Sequence, residues 1–216
     1  MKTTYSRTES VWQRMNNSEK KAVMAYGEKY KAFLDKARTE RQSVNFIIEA
    51  AEKKGFKPLY DLKALHEGDK VYWNQKGKSV ILAVIGKEPV KEGLKIVGSH
   101  IDAPRLDLKG NPVHEQDGLV YFRTHYYGGI KKYQWPTIPL ALHGDVYKKD
   151  GSVVTITIGE DENDPIFCVT DLLPHLSSKQ RQQTLGEAFK GECLNILIGS
   201  RPVSYTHLRA HETSQD

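Results

Sequence analysis

Only two cysteines, Cys168 and Cys193, occur among the 216 residues, and they are not spaced as Cys-x-x-Cys. That excludes a disulfide scaffold and a structural zinc knot. Both sit in apolar settings and are expected to be buried, inert thiols. No apolar run approaches the roughly 18 residues that a membrane-spanning helix needs. The opening stretch MKTTYSR has no apolar core behind its charges, unlike a secretory signal. The expected compartment is therefore the reducing cytoplasm, with no membrane partner. A basic stripe is missing too: the formal charge is only +5, and Lys and Arg are interleaved with Asp and Glu. No nucleic-acid partner is expected. Internal repeats and low-complexity segments are also lacking.

What is present is a soluble-type composition, 38% hydrophobic and 27% charged. Residues 10–54 carry helical periodicity. Ser18 is a candidate N-cap, and Val23, Tyr26, Tyr30, Phe33, Leu34 and Ala37 recur at three- and four-residue spacing, which predicts one buried face. A second helix is expected from Val44, Ile47, Ile48 and Ala51, stopped by Lys53, Lys54 and Gly55. From Val71 the period changes to short β-branched runs at 71–74, 80–85 and 94–98. The 80–85 run is apolar at every position, which predicts a strand buried on both faces. Helices followed by such strands indicate an α/β layer. After residue 112, strands at 119–123, 138–143, 145–148 and 153–158 follow one another without helices, with a hairpin turn expected at Lys149, Asp150 and Gly151. That predicts a β-rich second domain, a barrel or a sandwich.

One stretch carries chemistry. Residues 94–104, LKIVGSHIDAP, read as a buried strand running into a polar end stopped by Pro104. His100 and Asp102 are two apart, so in a strand they point to one side, about 6–7 Å apart at their Cα atoms. A neutral imidazole is a good zinc ligand, and a carboxylate beside it fixes its tautomer and raises its basicity. The alternative is a histidine satisfied near a turn, because His-x-Asp is short and common. His66, His114, His125 and His143 are expected to be exposed loop or strand histidines without a role. Asp107 and Asp117 are expected to be solvated turn or strand-edge carboxylates.

Residues 97–109, VGSHIDAPRLDLK, resemble the first metal motif of the M18 aminopeptidases. KARTER at 36–41, YYGGIKKYQW at 126–135 and IPLALH at 138–143 are similar to further segments of the family, in the same order. The resemblance implies a fold of α/β class. Residues 1–112 would be the N-terminal part of a zinc-peptidase catalytic domain, and 113–202 an inserted β-rich dimerisation or oligomerisation domain. It also implies a two-zinc enzyme that removes N-terminal residues from peptides and forms homo-oligomers, commonly dodecamers. Carried over by position, His100 would be a zinc ligand and Asp102 the carboxylate that orients it. DLLPHL at 171–176 is similar to a segment that brings a histidine into a neighbouring subunit's active site, which would give His175 a substrate-binding or oxyanion role. The alternative for His175 is an ordinary loop histidine after Pro174.

The family pattern also calls for a bridging aspartate, a Glu-Glu pair, another carboxylate and a late histidine. No Glu-Glu pair occurs anywhere in the chain. The expectation is a piece covering somewhat less than half of a full-length enzyme, inactive alone. The competing reading is a non-catalytic oligomerisation or binding module with an incomplete metal site. Residues 203–216 begin VSYTHLRAHET, which resembles a translated sequencing adapter and is expected to be a non-native tail. His207, His211 and Glu212 are accordingly not expected to be ligands.

Overall fold

Reciprocal caps open the first three helices. In the computed structural model, which describes residues 9–200, α1 (Val11–Arg14), α2 (Asn17–Lys36) and α3 (Glu40–Glu52) begin at Ser10, Asn16 and Thr39. Each cap side chain accepts from the backbone three residues on, and Gln13, Glu19 or Gln42 reaches back to the cap. The cap of α2 is Asn16 rather than Ser18, because Glu19 stands at the third helical position only from that start. α3 stops as expected. Gly55 takes φ +85°, its N–H donates to the Glu52 carbonyl at 2.9 Å, and the Phe56 N–H reaches the Ala51 carbonyl at 3.1 Å. This is the paired bond set of a glycine-terminated helix, open to a residue without Cβ.

The chain divides into two compact units, one ending at Asp102 and the other starting at Ala103. In the first, β1 (Lys57–Pro58) runs parallel to β2 (Lys70–Gln75), which pairs antiparallel with β3 (Ser79–Val84). The β2–β3 turn puts Lys76 and Gly77 at φ +53° and +69°, the two positive angles of a tight hairpin. Ser43, Val44 and Ala51 of α3 and Val71 and Tyr72 of β2 are buried. The Tyr72 hydroxyl donates to Glu52 Oε1 at 2.7 Å, tying β2 to α3.

Three expectations fail in this unit. Val23, Tyr26, Tyr30 and Leu34 of α2 are exposed rather than buried. β3 forms, but Ile81, Leu82 and Val84 are exposed, so it is not covered on both faces. Residues 94–98 form no strand, and Ile96 and Val97 are 81% and 98% exposed. One reason covers the last two: a strand needs a ladder partner and a layer on its apolar face. No strand among the described residues lies beyond β3 or beside 94–98.

The second unit opens with β4 (Arg105–Gln116) and β5 (Leu119–Tyr127), a long antiparallel hairpin turned by Asp117 and Gly118, both at positive φ. The boundary expected between residues 112 and 113 falls inside β4. Then come the hairpin of β6 (Leu142–Tyr147) and β7 (Val153–Ile158), β8 (Cys168–Val169) and β9 (Ile196–Gly199). The order β4-β5-β9-β8 makes one antiparallel sheet, while β6 and β7 pair only with each other. Among the described residues the β-rich part is thus an open sheet and a separate hairpin, not one closed barrel. Val169, Leu194 and Ile196 form its core, with Leu106, Phe122, Trp135 and Phe167 packed around them. Thr124 is buried within this unit, and its hydroxyl donates to the Leu194 carbonyl. Cys193, expected to be buried, is exposed, and Cys168 is half-buried.

Candidate metal centre

His100 and Asp102 stand at the end of the first unit on extended chain without strand pairing. The segment is held where Ser43 of α3, itself buried, donates its hydroxyl to the Ile101 carbonyl at 3.4 Å. The side chains meet: His100 Nε2 lies 2.9 Å from Asp102 Oδ1, with the imidazole 78% exposed and the carboxylate 23% exposed. A neutral ring that donates from Nε2 carries its lone pair on Nδ1, so this contact selects the tautomer with Nδ1 facing outward. The carboxylate is the better-buried partner and acts as the fixed end of the pair. The i, i+2 alternation therefore persists although the ladder that usually enforces it is missing.

Zinc sites in proteins use three or four protein ligands. Among the described residues no group of three or more His, Cys, Asp or Glu side chains could hold a metal ion. One oriented imidazole is a sound ligand but not a site, so the described residues do not by themselves fit zinc. His207, His211 and Glu212 lie outside the described residues, as does the whole tail expected at 203–216.

His175 belongs to the second unit and is exposed on a loop between Pro174 and Leu176. Local bonds shape that loop. Asp171 Oδ1 accepts from the Leu172 N–H at 2.7 Å and from Gln180 Nε2 at 3.0 Å, and Ser177 donates to the Pro174 carbonyl at 3.1 Å. Leu172, Leu173 and Leu176 around it are exposed.

Sequence reasoning undervalued other polar groups. His143 is not an exposed histidine. Its side chain is 12% exposed, and Nε2 lies 2.9 Å from Glu160 Oε1 across the base of the β6–β7 hairpin. Their separation of 17 residues offers no local signal; only the hairpin register could have suggested it. Asp107 is a strand-edge carboxylate on β4, 46% exposed, and Arg105 Nε donates to it at 2.6 Å while the guanidinium lies 4.0 Å from the Tyr127 ring centre. Lys109 bonds Glu192 at 2.6 Å and holds that carboxyl below its ordinary range. His114 Nδ1 accepts from Arg123 at 2.8 Å, and His125 Nδ1 donates to the Tyr126 carbonyl at 2.6 Å.

Comparison with known proteins gives these residues a context. The family described as Aminopeptidase I zinc metalloprotease (M18) matches residues 33–213, a range that includes His100, Asp102 and His175 and runs into the stretch set aside above as tail. A probable M18 family aminopeptidase 1 of Clostridium acetobutylicum is 50% identical over 198 residues, covering 90% of this chain and 43% of the relative. A crystal structure of an M18-family aminopeptidase from Thermotoga maritima matches with TM-score 0.84 and 39% identity, covering 94% of this chain and 44% of that one. A more distant solved structure, the S. cerevisiae mApe1 dodecamer, has TM-score 0.59 at 20% identity over 82% of this chain and 38% of its own, a likeness of fold alone. The chain thus spans less than half the length of the relatives it matches.

Proposed function

Because this chain belongs to the M18 family of zinc metalloproteases, we propose that it supplies one zinc ligand, His100, and its orienting carboxylate, Asp102, to an aminopeptidase that removes N-terminal residues from peptides. The observation that carries this reading is the 2.9 Å His100–Asp102 contact inside the family-matched range. The pair presents one ring nitrogen in one orientation, which is what a ligand needs before a metal arrives. A zinc ion held there would supply Lewis-acid chemistry at a carbonyl and at a water molecule. The task of this chain's residues is narrower: Asp102 holds the ring and its proton, and His100 offers Nδ1. With so few donors among the described residues, the 216-residue chain is expected to show no peptidase activity and no tight zinc binding by itself.

Three finer assignments accompany this reading. The second unit serves self-association, His175 reaches the substrate site of a neighbouring copy, and the protein works in the cytoplasm. The exposed leucines around His175 support the second, since a loop that docks elsewhere leaves apolar side chains bare until it does. Two free cysteines support the third. No helix among the described residues is long and apolar enough to cross a membrane.

A chimera tests the central reading. The matching 198 residues of the Clostridium acetobutylicum relative are replaced by those of this chain, and zinc-dependent release of N-terminal residues from peptides is measured. The chimera should be active, His100→Ala should abolish turnover, and Asp102→Asn should cost about 10–100-fold in activity or metal affinity. A folded His100→Ala chimera that keeps its rate would refute the assignment.

A further inference from the structure

Serine is a poor choice for the buried face of a helix, because a hydroxyl shielded from water needs a partner. Ser43 nevertheless lies on that face of α3 beside Val44, and it is 1% exposed. A helical serine ordinarily bonds back to the carbonyl one turn earlier. Here that carbonyl, of Thr39, takes the Ser43 backbone N–H at 2.9 Å. The hydroxyl instead leaves the helix and donates to the Ile101 carbonyl at 3.4 Å. The bond is long, but at a site closed to solvent no water competes for the hydroxyl.

The acceptor lies where the chain changes character. Residues 91–100 are exposed throughout and belong to no strand. Exposure drops at Ile101 and Asp102, where the chain meets Ser43. The Ile101 carbonyl is part of the peptide group that joins it to Asp102. That group is planar, so holding its oxygen sets the direction in which the Asp102 Cα leaves. Asp102 in turn carries the carboxylate that meets His100 Nε2 at 2.9 Å. The donor stands on a firm element. Thr39 and Gln42 cap α3 just before Ser43, and near the far end Glu52 accepts from the Tyr72 hydroxyl of β2 at 2.7 Å.

We infer that Ser43 is a positioning residue, whose hydroxyl fixes the peptide between Ile101 and Asp102 and thereby the aim of the His100–Asp102 pair. This deepens the role proposed above for that pair and rests on it. Ladder bonds usually give a strand end its direction. At 94–102 one side-chain bond from a packed helix does that work. Losing the hydroxyl costs the fold little, because alanine is the better helix former and the half-buried Ile101 can turn its carbonyl to water. Local order at the pair and global stability therefore separate.

Backbone amide relaxation measured by NMR on the full chain tests this without any metal. Order parameters should rise from below about 0.6 at Ile96 and Val97 to about 0.85 at Ile101 and Asp102. Ser43→Ala should bring 101 and 102 below about 0.6 while the urea midpoint stays in place. Ser43→Thr, which keeps the hydroxyl, should restore their order, and Ser43→Val, of the same size without it, should not. The alanine variant decides the matter if the larger side chains shift the urea midpoint. In the Clostridium acetobutylicum chimera, Ser43→Ala should lower kcat at least about tenfold at unchanged KM. Order at 101 and 102 that survives Ser43→Ala overturns the positioning role. So does a kcat that survives it while His100→Ala is inactive, and either result leaves the ligand assignment standing. A chimera still active without His100 removes the assignment and the positioning role with it.

Discussion

The two units of the chain are built from the same kind of sequence and stabilised differently. The second closes a core around Val169 of β8, Leu194 and Ile196 of β9, with side chains from as far back as Leu106 packed against it. The first has three capped helices and a short sheet, yet it leaves Val23, Tyr26, Tyr30 and Leu34 of α2, Ile81, Leu82 and Val84 of β3 and the 94–98 segment exposed. Local signals form its helices, while its apolar surface exceeds what its own elements cover. An element can satisfy every local rule and still lack the layer that makes it stable. The candidate ligand His100 sits at the end of this uncovered surface.

The largest expected contrast comes from two leucines. Leu194, 2% exposed in the second core, should cost about 2–5 kcal/mol on replacement by alanine. Leu94, exposed in the first unit, should change stability by no more than about 0.5 kcal/mol. Urea unfolding of the two variants measures both, and equal losses would show that 94–98 is buried after all. A smaller effect is expected at a cap. Asn16→Ala removes the acceptor of the Glu19 N–H, a bond of 3.0 Å, and should cost about 0.5–2 kcal/mol in the first unit, read as lost helical ellipticity. No change there would mean that packing, not the cap, holds α2.

The smallest effects concern pH, and they separate the units by sign. In the second, four carboxyls lie below their ordinary range: Asp150 through the Ser152 hydroxyl, Asp164 through the N–H groups of Gly159 and Asp161, Glu187 through Thr184, and Glu192 through Lys109. Their contribution is whole above the ordinary carboxyl pKa of about 4 and is lost as pH falls below it. In the first, Tyr72 is raised by its bond to Glu52 and then by burial. Its contribution is whole below the ordinary tyrosine pKa of about 10 and is lost as pH rises through the raised value. Single-tryptophan variants keeping Trp73 or Trp135 should show urea midpoints falling in alkali for the first unit and in acid for the second. The opposite order would remove these bonds from the stability of either unit.

Much of the fold was legible because its signals are local. The α3 stop at Gly55, the Asp150–Gly151 turn and the strands around Val71, Leu119 and Val153 follow from residue type and period. The failures share a cause. Apolar periodicity at 23–37, 80–85 and 94–98 tells which side chains seek cover but not whether cover exists. The His143–Glu160 pair and the burial of Thr124 depend on register between separated strands, which no short spacing encodes. At the candidate site the i, i+2 spacing of His100 and Asp102 was readable at once, and their side chains meet at 2.9 Å.

By itself the sequence determined the helices, the turns, the family-like order of motifs and the pairing of one imidazole with one carboxylate, since each is set within a few residues. Only the tertiary structure decided which apolar faces are covered and where the polar groups between strands find partners. Those outcomes depend on what packs against what, and a stretch of chain carries its own preferences but not the identity of its neighbours.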